Sequence, residues 1–113
     1  MTRQYKPYIA QTVDDLMDEL ASMMFSSPKF EDDSGYFPGM SIDTEFLALN
    51  EGLKNLRRRL GDDRYQRLVA LSGRMRAHFE ADPDDKTGES IRGREIILEM
   101  RDILQEVPPS KSD

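Results

Sequence analysis

The stretch Ser41–Leu60, SIDTEFLALNEGLKNLRRRL, carries apolar residues at Ile42, Phe46, Leu49, Leu53, Leu56 and Leu60. The steps between them run four, three, four, three, four. Only an α-helix lines up residues so spaced, because a strand turns its side chains over at every residue. Glu45, Glu51, Lys54, Arg57 and Arg58 fall on the remaining faces. The segment therefore has one dry side and one wet side. A dry seam of this length needs apolar partner surfaces, and three other segments offer them.

Ile9, Val13, Leu16, Leu20 and Met23 step by four, three, four and three, with Met17 and Met24 widening the stripe. They predict a first helix over 8–26, ending before Pro28 because the residue before a proline avoids the α region. Thr12-Val13-Asp14-Asp15 offers a later, capped start. Residues 27–40, SPKFEDDSGYFPGM, have no helical period and read as a long loop. Ser41 caps the second helix and Gly61 suits its C-terminal end. Asp62 or Asp63 opens a third helix along Tyr65, Leu68, Ser72, Met75 and Phe79, with Val69 and Leu71 beside the seam. The short turn at Gly61 makes helices two and three antiparallel neighbours. Pro83 and Gly88 interrupt the pattern. Thr87 or Ser90 caps a fourth helix bearing Ile96, Ile97, Met100, Ile103, Leu104 and Val107, and Pro108-Pro109 stops it.

The expected fold is all-α: one bundle of four amphipathic helices over 1–107, with a long loop between helices one and two. Residues 1–7 form a loose lead-in and 108–113 a disordered tail. At 113 residues the chain can bury one core without staples. It contains no cysteine, which excludes disulfides and thiolate chemistry. The net charge of −6 disfavours nucleic acid and favours a basic protein surface. No apolar run is long enough for a signal peptide or a membrane span, so the expected location is the cytoplasm.

No stretch carries recognisable catalytic chemistry. His78 is the single histidine, and no neighbouring residue is marked as a nucleophile. ADPDDKTGES fails the calcium-loop spacing in either register, and Gly88 lacks the Gly-Lys-Ser/Thr end of a phosphate loop. Neither a metal nor a cofactor is expected. Arg57-Arg58-Arg59, with Arg64 and Arg67, reads as helix-dipole and salt-bridge partners for acidic helices. The acidic and aromatic loop is the strongest interface candidate, because aromatic residues are enriched in protein interfaces. Its candidate partner-binding residues are Glu31, Asp32, Asp33, Tyr36 and Phe37. The second acidic turn adds Asp82, Asp84 and Asp85. For Phe30 and Phe37 the competing reading is that they fold back and close one end of the bundle.

The order of elements, and the run FLALNEGLKNLRRRLGDDRYQRLVALSGRMRAHFEADPDD in particular, resembles the small helical immunity proteins of interbacterial type VI secretion toxin systems. The likeness covers roughly 8–104. It rests on Leu53, Leu56 and Arg57, and on Leu71 to Phe79-Glu80 followed by Asp82-Pro83. The loop 30–40 and DDKTGES depart from that pattern. The resemblance implies a non-enzymatic inhibitor. A monomer or weak dimer is expected when the chain is free, because the four seams can satisfy one another. Its partner would be a cognate protein toxin with a basic cleft that acts on cytosolic nucleotides. Two rivals stay open. An adaptor or secretion-chaperone-like module would expose a stripe such as Met17, Met23 and Met24. An all-α metal-dependent nucleotide hydrolase would turn Asp14 and Asp18, or Glu95 and Glu99, inward.

Overall fold

The computed structural model describes residues 6–31 and 39–108. Among them all regular structure is helical: α1 Val13–Ser26, α2 Ile42–Asn55, α3 Arg57–Leu60, α4 Asp62–Ala81 and α5 Glu89–Gln105. The count is five where the apolar spacing predicts four. The extra element arises at Leu56, whose φ of −104° and ψ of 9° leave the α region. Its N–H is shared between the carbonyls of Gly52 and Leu53, at 3.1 and 3.2 Å. The seam crosses this break intact, since Leu53, Leu56 and Leu60 are all buried.

The first helix starts at Val13, five residues later than the period of Ile9 implies. Thr12 has extended geometry and its Oγ1 accepts the Asp15 N–H at 3.0 Å, so a cap sets the boundary. Residues 6–11 form a non-helical strap instead. Ala10 of that strap is buried, and a Cβ placed on Gly52 of α2 would lie 3.0 Å from its Cβ. The second helix starts as expected, with a reciprocal cap between Ser41 and Thr44. Gly61, at φ 85°, makes the tight turn into α4. The last helix begins at Glu89 behind Gly88, at φ 89°, whereas Ser90 sits inside it.

α1 and α4 each pack on both α2 and α5. Cross-contacts give the directions. Asn55 reaches the Ala10 carbonyl while Glu45 lines a recess with Glu19 and Ser22, so α1 and α2 are antiparallel. Ser72 bonds Asn50 and Arg76 pairs with Asp43, so α2 and α4 are antiparallel too. His78 meets Glu89 at one end of the α4–α5 pair and Arg64 meets Glu106 at the other. The core between them is one cluster that includes Leu16, Leu20, Leu49, Leu68, Met75 and Ile97. Each such side chain contributes roughly 2 kcal/mol on burial, before entropy. No described helix is long and apolar enough to cross a membrane.

Phe30 closes the end where α1 and α4 finish. It is fully buried, with edge-to-face contacts to Phe46 at 5.7 Å and Phe79 at 5.3 Å between ring centres. For Phe30 the folded-back reading is therefore the observed one. Asp32, Asp33, Tyr36 and Phe37 lie outside the described residues.

Candidate partner interface

Glu31 and the second acidic turn meet at that same end. Glu31 follows the Phe30 plug, and Asp84 and Asp85 lie in the α4–α5 turn. All three are exposed and line one open recess of about 540 Å³. Its rim is partly neutralised: Lys29 pairs with Asp84 at 3.7 Å and Arg94 with Asp85 at 2.9 Å. The Lys29–Asp84 pair is exposed on both sides and worth about 0–1 kcal/mol, so an incoming cation can displace it cheaply, whereas Arg94 is half-buried and also donates to Ser27. Glu31 has no ion pair among the described residues. Phe25 stands on the same rim with 89% of its surface exposed.

Asp82 has a different role from its neighbours. It is buried, and its carboxylate accepts the N–H groups of Lys86 at 2.7 Å, Thr87 at 3.1 Å and Ser90 at 3.1 Å. The Ser90 hydroxyl donates to its carbonyl at 2.9 Å. Burial pushes the carboxyl pKa up, but the Lys86, Ser90 and Thr87 donors outweigh it and hold the group at about 2. Asp82 thus shapes the turn that presents Asp84 and Asp85, and its own oxygens are already taken up by the chain.

A second recess, of about 340 Å³, lies on the α1–α2 flank. Asp15, Asp18, Glu19 and Glu45 reach it, under Tyr8 of the strap. On α1 the positions Asp18, Ser22 and Phe25 step by four and three along one exposed face. That face joins the flank recess to the acidic end. Sequence spacing alone sets Phe25 opposite the buried line of Leu16, Leu20 and Met23. Nothing local marks Glu19, whose surroundings combine the strap, α1 and Glu45 of α2.

The other candidate residues sit as follows. Ser72 is buried and bonds Asn50 at 2.9 Å, while His78 Nδ1 lies 2.6 Å from Glu89 Oε2, so the two are not paired with each other. Arg57 bonds Asp62 at 3.1 Å, and Arg64 and Arg67 both reach Glu106. Met23 is buried, and Met17 and Met24 pack against the core. Asp14, Asp18, Glu95 and Glu99 are exposed. The described acids form no group of three arranged to hold a metal ion.

Compared with known proteins, the chain matches no family model, no curated protein and no solved structure.

Proposed function

We propose that this chain is an inhibitory binding protein, an immunity protein that neutralises a cognate toxin in the cytoplasm by covering a basic site on it. The observation that carries the reading is the convergence of Glu31, Asp84 and Asp85 on one recess beside the exposed Phe25. An exposed aromatic beside three carboxylates, with Lys29 and Lys86 on the same recess, has the composition of a polar interface facing a basic, partly apolar cleft. The net charge of −6 favours fast encounter with such a cleft. The resemblance to type VI immunity proteins supplies the toxin class, an enzyme acting on nucleotides, whose phosphate-binding cations the carboxylates would engage. In this reading the chain acts free of cofactors, as a monomer or weak dimer.

The test is calorimetry against the protein encoded immediately upstream, with growth protection on co-expression as a second readout. The wild-type chain is expected to bind and protect. Phe25→Ala combined with Glu31→Lys and Asp84→Lys is expected to lose several kcal/mol of affinity, on the scale of hot-spot and charge-pair losses. Absence of binding and of protection by the wild type rejects the reading. Full affinity in the folded triple variant moves the interface away from this end.

A further inference from the structure

The strap 6–11 is held to α1 by one carboxylate. Asp15 Oδ2 accepts the Tyr8 hydroxyl at 2.9 Å and the Gln11 N–H at 3.0 Å. Together with the Thr12 contact, these donors keep the Asp15 carboxyl below its ordinary pKa, so it stays charged at neutral pH. Behind it, Glu19 points into the flank recess between α1 and α2. Its Oε2 is fully enclosed and has no hydrogen-bond donor among the described residues. The ionisable groups that share the recess are Tyr8 from the strap, Asp15 and Asp18 from α1, and Glu45 from α2. The Glu45 carboxylate is itself engaged, accepting the Thr44 hydroxyl at 3.2 Å.

A half-buried carboxyl with one enclosed, unsatisfied oxygen and carboxylate neighbours is favoured in its protonated form. We infer that Glu19 is a proton-dependent latch: protonated, it lets the strap and α1 close on α2, and ionised, it opens the flank to water. The latch is independent of the partner reading, because it concerns closure of the fold itself. Burial first, and then the charges of Glu45 and Asp15, raise the Glu19 pKa to about 8, against an ordinary value of 4.5. A raised folded pKa gives closure that is complete below the ordinary value and is lost as pH rises through the folded one. The working window is therefore about pH 5 to 8, and the closed strap is the neutral-to-acid state.

Two measurements on the whole chain test this. The first is a carbon-13 carboxyl titration of Glu19 by NMR in the wild type. A midpoint well above the ordinary carboxylate range is expected, and a midpoint within that range overturns the latch whatever the variants do. The second is chymotrypsin cleavage at Tyr8-Ile9, which follows the population of open strap when reclosing is fast. The ratio of cleavage rates at pH 8.5 and pH 6 is compared between wild type and Glu19→Gln, so that the enzyme's own pH dependence cancels. The wild-type ratio is expected to exceed that of the variant by on the order of tenfold, as linkage over a shift of this size allows. Equal ratios would mean that Glu19 does not control the strap.

Discussion

Gly93 of α5 lies against the ring of Phe79 so closely that a Cβ added there would sit 2.5 Å from Phe79 Cε1 and 2.7 Å from its Cζ. Phe79 is fully buried and also makes the edge-to-face contact with Phe30 that seals this end of the bundle. The α4–α5 crossing is therefore set by a missing side chain. Gly93→Ala gains about 1 kcal/mol of helix propensity and loses about 1–3 kcal/mol to overpacking. The expected net effect is a destabilisation of up to about 2 kcal/mol, read by urea unfolding. An unchanged midpoint would mean that Phe79 can shift without cost.

Gly73, in the middle of α4, is the natural control. A Cβ there would meet nothing within 4 Å, and the position is exposed. Gly73→Ala is expected to stabilise the protein by about 0.5–1 kcal/mol, through propensity and a less flexible unfolded chain. The same substitution at two helical glycines should thus move the unfolding midpoint in opposite directions.

Phe30→Ala should cost about 3–5 kcal/mol, the usual loss for a fully buried aromatic. The ring contacts to Phe46 and Phe79 both go with it. Against a typical total of about 5–15 kcal/mol, that loss brings the domain near the limit of folding. Differential scanning calorimetry gives the number. A loss below about 1 kcal/mol would show that the end of the bundle closes without the plug.

Asp82→Asn tests the α4–α5 turn. The carboxyl of Asp82 is held near 2, below its ordinary 3.8, by the Lys86, Ser90 and Thr87 donors acting against burial. A depressed folded pKa gives stability that is present above the ordinary value and is lost as pH falls through the folded one. Wild-type melting temperature should therefore drop between about pH 4 and pH 2. The variant should start lower at pH 7 and show a flatter acid limb. Parallel acid limbs would assign the acid sensitivity to other carboxylates.

The one-dimensional pattern of the chain determined a good deal. The apolar steps of Ile42 to Leu60 specify a helical seam because they depend only on the 3.6-residue turn. Ser41 and Gly61 mark ends because capping is a contact between near neighbours in sequence. The placement of Glu31, Asp84 and Asp85 outside any seam follows in the same way. What required the tertiary structure is each choice made by a distant residue. Ile9 keeps the helical period, yet 6–11 becomes a strap because Thr12 caps α1 and Ala10 fits beside Gly52. The turn at Leu56 does not interrupt the seam, so apolar spacing cannot reveal it. Asp82 and Asp84 are neighbours in one acidic run, and only the approach of the Lys86–Ser90 backbone sends the first inward. Glu19 reads as one more surface acid until α2 brings Glu45 beside it. Local periodicity decides which side of each helix is dry. Tertiary packing decides which polar groups lose their water, and among the described acids Glu19 and Asp82 are the clearest cases.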